Sequence, residues 1–176
     1  PDGSIVALGG SSATGRDRML ARADQGKVPG QVSFWDARTG ANLQTIEVGL
    51  GLVLSLTYSP NGKTLAIVNK AARAPGNSSV SITLWDVDKG RVKAVFPFPN
   101  ASGRFCAFTP DGNVLAFDCS DGRIFLVDLQ KGAPLPPLKG SAGGLLTDRI
   151  RFTSDGNRLI VRHGQPPSIT VRNWRN

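Results

Sequence analysis

Apolar residues come in strand-length bursts rather than at helical spacing, and the bursts recur with the same punctuation. Three of them, in LSLTYS, RFCAFT and RIRFTS, close on an aromatic residue directly before a turn signal. The turns are Ser59-Pro60-Asn61-Gly62, Thr109-Pro110-Asp111-Gly112 and Thr153-Ser154-Asp155-Gly156, and a fourth signal, Pro1-Asp2-Gly3, opens the chain. Each of the three is followed by a second apolar run, KTLAIV, NVLAFD or NRLIV. This order is strand, tight turn, strand, with Asn-Gly or Asp-Gly supplying the positive φ that a hairpin turn needs.

A third strand is predicted after each hairpin, in QVSFWDA, SITLWDV, RIFLVDL and SITVRNW. Behind the first three come the Gly-centred turns RTGA, DKGR and QKGA, and then a weaker fourth strand in NLQTIEV, VKAVFPF and APLPPL. Proline cannot donate to a sheet ladder, so the last two of these segments belong on a sheet edge. The strands add up to about fourteen, three in the first unit, four in each of the next two and three in the last. Leu65 and Ile67 alternate with Ala66 and Val68, and Leu52, Leu54, Leu56 and Tyr58 alternate with Val53, so both faces of these strands are apolar. Such sheets are expected to be covered on both sides by other sheets. Four-stranded sheets stacked face to face about an axis make a propeller.

On these residues the chain resembles the WD-repeat family. TPDGNVLAFDCSDGRIFLVD matches the hairpin and third strand of a WD repeat without a gap, with Asp121-Gly122 at the turn and Asp128 where Trp-Asp would close the strand. SPNGKTLAIV with ITLWDVDKG, and VSFWDARTG, look like the same element, so the resemblance covers essentially the whole chain. It implies an all-β fold: about four consecutive four-stranded antiparallel blades, two of them incomplete, over residues 1–48, 49–99, 100–139 and 140–176. Since such rings usually have about seven blades, the visible part is roughly half of one. Departures from the pattern are the missing Gly-His pair and Val127 and Arg172 at Trp positions. They suggest a divergent, bacterial-type branch and a piece of a longer protein. Trp35-Asp36 and Trp85-Asp86 are expected to be structural, the tryptophans packed at strand ends and the acids holding the next turn, with Asp121 and Asp128 in similar roles.

Lys and Arg number 21 against 13 Asp and Glu, a net charge of +8. This favours acidic partners, but the basic residues are scattered rather than clustered, as on a solvated surface. Aromatic content is 7%, and most of those residues are needed in strands, so nucleic acid is an unlikely partner. No run of eighteen apolar residues is present to span a membrane as a helix. The chain opens on Pro1-Asp2-Gly3 without an initiator Met, so its natural amino terminus is expected to lie upstream. Localisation is left open, with the cytoplasm as the leading expectation. Cys106 and Cys119 read as buried small side chains.

Catalytic motifs fail on inspection. Residues Gly10 to Gly15 have the glycine spacing of a phosphate loop, but Arg16-Asp17 stands where Lys and Ser or Thr should follow. Gly49-Leu50-Gly51 lacks the rest of a dinucleotide fingerprint and reads as a link between blades. His163 is the one histidine and is expected at a surface or turn, with no spacing that names relay partners. The acids around Asp86-Asp88 and Asp118-Asp121 are too few for a hard-cation loop. The sequence thus predicts no enzyme site, no cofactor and no metal. Asn77 and Asn100 match the glycosylation pattern by chance.

The expected function is a protein-interaction scaffold, with an accessory propeller in a longer enzyme or signalling protein as the alternative. Partners are other proteins, an acidic surface among them, and the remainder of its own propeller. The docking surface is placed on the loop face, where the second-to-third-strand connections are long and basic: Arg16, Arg18, Arg22 and Lys27 in one, Lys70 and Arg73 in another.

Overall fold

Three features of the local sequence set the hairpins: a hydroxyl, an Asp or Asn two residues later, and a glycine. In the computed structural model, which describes residues 3–11, 29–72, 78–99, 101–119, 121–139, 147–163 and 167–175, Gly62, Gly112 and Gly156 have φ of 72°, 72° and 69°. Thr109 and Thr153 close their turns twice. The backbone carbonyl accepts from the glycine N–H at 2.8 and 2.9 Å, and the side-chain oxygen accepts from the first strand residue beyond, Val114 at 3.0 Å and Arg158 at 3.1 Å.

Every described element is a strand, and there are fourteen. β1 (Ile5–Ser11), β2 (Pro29–Asp36) and β3 (Asn42–Leu50) form one antiparallel sheet in that order. β4 (Leu52–Tyr58), β5 (Thr64–Ala72), β6 (Ser78–Asp86) and β7 (Arg91–Pro99) form the second. The third is β8 (Cys106–Phe108), β9 (Val114–Asp118), β10 (Ile124–Asp128) and β11 (Ala133–Leu138). The fourth is β12 (Thr147–Phe152), β13 (Arg158–His163) and β14 (Ser168–Asn173). Each sheet is a meander of sequential neighbours, and the proline-bearing β7 and β11 lie at sheet edges, where a missing N–H costs no ladder bond.

The chain divides into two compact units, residues 1–56 with 62–101, and residues 57–61 with 102–176. In the first unit the β1–β3 sheet packs on the β4–β7 sheet. Gly9 and Gly30 permit the approach: a Cβ on Gly9 would overlap Val53, and one on Gly30 would sit 2.9 Å from Asn69 Nδ2. Leu65, Ala66, Ile67 and Val68 are successively buried, so β5 is closed on both faces. Asn69 is buried beside them and donates through Nδ2 to the Val48 carbonyl.

In the second unit one face of β8–β11 meets one face of β12–β14. Ala107, Ala116 and Leu126, level with each other across three strands, lie in one cluster with Ile150, Leu159 and Val161. Phe152 and Trp174 border it edge to face, 5.6 Å between centroids, and Trp174 Nε1 donates to the Gly156 carbonyl at 2.8 Å. The turns also stack: a Cβ on Gly156 would lie 3.4 Å from the Pro110 ring, and one on Gly112 would lie 3.7 Å from Pro60.

Candidate functional site

The recurring polar unit of this chain is the turn bracket. Ser59 Oγ bonds to Asn61 Oδ1 at 2.8 Å, and Thr109 and Thr153 donate to Asp111 and Asp155 at 2.5 Å. Each aspartate also accepts the N–H two residues on, from Asn113 and Asn157 at 3.0 Å. The threonine hydroxyl, followed by that N–H, holds Asp111 and Asp155 below the ordinary carboxylate range. A folded pKa below the unfolded one stabilises the native state above pH ~4 and loses that contribution as pH falls. Thr109 is fully buried, so Thr109→Val strips the turn of a donor and an acceptor at once. The expected cost is about 2 kcal/mol, read by urea denaturation at neutral pH. An unchanged midpoint would show the bracket to be idle.

A second bracket follows three of the third strands, β2, β6 and β10, and a similar one at Asp121 precedes β10. Asp36 Oδ1 accepts the N–H of Arg38 at 2.9 Å and of Thr39 at 2.7 Å, and the Thr39 N–H is the main cause of its lowered pKa. Asp86 accepts from Lys89 at 2.9 Å, and Asp128 from Gln130 and Lys131 at 3.0 Å. Asp121 accepts the Arg123 N–H at 3.0 Å and pairs with its guanidinium at 2.6 Å, which lowers the acid and raises the base.

The two Trp-Asp tryptophans differ in setting. Trp85 is buried, level with Leu65 and Val92 on its neighbours. Trp35 is half-buried, level with Val6 and Asn42, and its Nε1 is buried without a hydrogen-bond partner.

Of the six basic residues placed on the loop face, Lys70 is described: half-buried on β5, level with Val80. Arg16, Arg18, Arg22, Lys27 and Arg73 lie outside the described residues, as do Asn77 and Asn100. Gly49 and Gly51, with φ of 72° and 106°, link β3 to β4.

His163 corrects the sequence reading. It ends β13, is buried, and its Nε2 bonds to Thr170 Oγ1 at 3.1 Å. The reason is strand alternation: Leu159, Val161 and His163 share the inward face, and the imidazole continues that row.

Asp118 is a feature that sequence reading missed. It closes β9 with its side chain buried, Oδ1 accepting the N–H groups of Arg104 at 3.0 Å and Phe105 at 2.5 Å. Burial outweighs those bonds and raises its pKa from 3.8 to about 6. An acid that ends an otherwise apolar strand was the available signal. Nearby Cys106 is pushed up to about 12, chiefly by burial, so its thiol is inert at neutral pH. Cys119 is buried as well. Among the described residues no cluster of His, Cys, Asp and Glu is arranged to hold a metal, and no helix is long and apolar enough to cross a membrane.

No protein-family model matches the chain. It is 29% identical over 167 residues to WD repeat-containing protein 91 of Xenopus tropicalis, covering 84% of this chain and 21% of that protein. It is 21% identical over 136 residues to the WD repeat-containing protein 91 homolog of Dictyostelium discoideum, covering 76% and 17%. With WD repeat-containing protein VIP3 of Arabidopsis thaliana it shares 27% over 122 residues, covering 62% and 36%. The chain therefore spans between 17% and 36% of the length of these three relatives. With two four-stranded and two three-stranded antiparallel meanders among the described residues, repeated turn brackets, and several relatives that are WD repeat-containing proteins, the chain is an all-β protein whose sheets are propeller blades similar to those of WD-repeat proteins.

Proposed function

We propose that the chain is a non-catalytic scaffold that docks partner proteins through the loop face of a propeller, as part of a divergent, bacterial-type branch. Its blades are taken as residues 1–48, 49–99, 100–139 and 140–176, with further blades of the same protein completing the ring. The observation that carries the reading is the frame itself. Each described hairpin is locked by side-chain brackets, and of the two long, basic stretches that the sequence reading assigned to the loop face, Gly10 to Gly30 and Lys70 to Ser79, the described ends lie in strands of that frame, Lys70 on β5 among them. Arg16, Arg18, Arg22 and Arg73 then act on an acidic partner mainly through association rate. Replacing these four by serine should weaken binding to the partner recovered with the intact protein by about tenfold at low salt and flatten the salt dependence. Unaltered affinity and salt dependence would place the site elsewhere. The second reading, an accessory propeller within a longer enzyme or signalling protein, draws on the small share of its relatives that this chain spans.

A further inference from the structure

The end of the β8–β11 sheet that carries the β9–β10 turn is marked by charge. Pairing there runs past the strands: the Asp118 N–H donates to the Phe105 carbonyl at 3.1 Å, the Cys119 N–H donates to the Arg123 carbonyl at 2.9 Å, and Ile124 is level with Leu138. One step further out, the level row reads Arg104, Cys119, Arg123, Lys139, and its three cations are all exposed. The repeat supplies the comparison. The matching row is Asn69, Ser81 and Pro97 on β5 to β7, and His163 with Ser168 on β13 and β14. In the β1–β3 sheet it is Gly10, Gln31 and Glu47. Three sheets thus form without a Lys or Arg on these strands at this level, so the fold itself does not call for the charge.

Each cation is also anchored to the frame. Asp118 Oδ1 accepts the Arg104 N–H at 3.0 Å, and the chain just before it is pinned, because a Cβ on Gly103 would overlap the Asp118 carbonyl oxygen. The Arg123 guanidinium pairs with Asp121 through Nε and Nη2 at 2.6 Å and lies 5.1 Å from the Phe125 ring centroid, which leaves Nη1 outside the pair. The Lys139 carbonyl accepts from Arg172 Nη1. Among the described residues no carboxylate forms an ion pair with Arg104 or Lys139. Lys139 stands level with Arg123 on the neighbouring strand, where like charges are unfavourable. Such a violation of a local rule needs a compensating gain elsewhere, and cations already held in place cost a partner little to order.

We infer that the row Arg104, Arg123 and Lys139 at the turn end of β8–β11 is a docking site for an extended acidic segment of a partner protein. Strands lie about 5 Å apart, so the four-strand row spans about 15 Å. An extended chain brings same-side residues back every ~7 Å, so carboxylates at positions i, i+2 and i+4 cover that span. Charge-assisted bonds from guanidinium and ammonium then hold them. Among the described residues no large hydrophobic side chain of β8–β11 is exposed, so the surface offers nothing to an apolar helix or to lipid tails. Phe125 lies half-buried under the Arg123 guanidinium and is not free to stack on a base. Pro134, Pro136 and Pro137 interrupt the ladder donors of β11, so the segment crosses the strand ends through side chains instead of adding to the sheet as a strand. The inference rests on the protein-docking reading but uses different residues from the loop arginines.

Two variants of equal charge test it, with labelled decaglutamate as the probe and fluorescence anisotropy of the intact protein at low and high salt as the readout. Arg104→Ser with Lys139→Ser removes two cations of the row, and Arg91→Ser with Lys93→Ser removes two exposed cations from β7. The first pair should weaken binding at low salt by about tenfold and flatten its salt dependence, and the second should weaken it by less than about twofold. Should the first variant melt early, Arg104→Lys with Lys139→Arg keeps the charge and should bind like the native protein, and a tenfold loss there would count against the site. Equal losses in the two serine variants overturn the inference, because net charge alone then holds the probe. So does oligothymidine binding more tightly than decaglutamate and being lost with the row, which would make nucleic acid the occupant. Decaglutamate lost on substitution of Arg16, Arg18, Arg22 and Arg73 but kept by the row variant overturns this site and leaves the loop reading standing, and the reverse pattern supports this site against the loops.

Discussion

Trp85→Ala should lower the stability of the fold by about 3 to 5 kcal/mol, the range for deleting a large buried aromatic. The indole is 8% exposed, on the third strand of its sheet, with fully buried Leu65 level with it on β5. Truncation leaves a void between strands that cannot close without moving the Asp86 bracket, whose acid is the next residue and fixes the turn through the Lys89 N–H. Against a typical total of 5 to 15 kcal/mol, such a loss is a large fraction of what holds the chain folded. Trp35→Ala should cost less. Trp35 is half-buried and level with Val6, which is 44% exposed, so part of its surface is already in contact with water. Urea denaturation of both variants tests the ranking. Equal costs, or an unchanged midpoint for Trp85→Ala, would show that burial does not set the importance of these residues.

The second large effect is a pH dependence of unusual sign, centred on Asp118. Burial raises its folded pKa from 3.8 to about 6, so between those values the native protein holds a proton that the unfolded chain has released. Stability then falls as pH rises through the window, the reverse of the contribution from Asp36, Asp111, Asp121 and Asp155, whose pKa values are lowered. The full difference amounts to about 3 kcal/mol. Asn at this position carries the neutral form permanently and retains an oxygen to accept the Arg104 and Phe105 N–H groups. Asp118→Asn should therefore be more stable relative to the native protein at pH 7.5 than at pH 3.5, by about 3 kcal/mol. A constant difference across that range would mean that the carboxylate stays ionised on its two backbone donors.

These two sites mark how far local sequence reaches. The brackets at Thr109-Asp111 and Thr153-Asp155 and the positive φ of Gly112 and Gly156 were legible, because the donor, acceptor and left-handed residue lie within six positions of one another. The same is true of the meander order, where one hairpin follows another, and of the proline-bearing edge strands. The candidate loop residues were legible only as composition: a run of arginines in a long connection says nothing about what it faces.

Burial required the tertiary structure. Asp118, His163 and Gly103 are all buried, and Asp118 and Gly103 are met by atoms thirteen to fifteen residues away in sequence. A Cβ on Gly103 would overlap the Asp118 carbonyl oxygen and lie 2.7 Å from the Phe117 ring, a constraint fifteen residues distant that no turn rule contains. The Arg149–Arg162 pair is of the same kind, because two arginines thirteen positions apart become neighbours only through the register of β12 on β13. The sequence alone determined where the strands run and turn, since backbone conformation is governed by nearest neighbours and by alternation along a strand. Only the tertiary structure decided which face of each strand is closed, since that depends on the sheet packed across it, whose residues come from another blade.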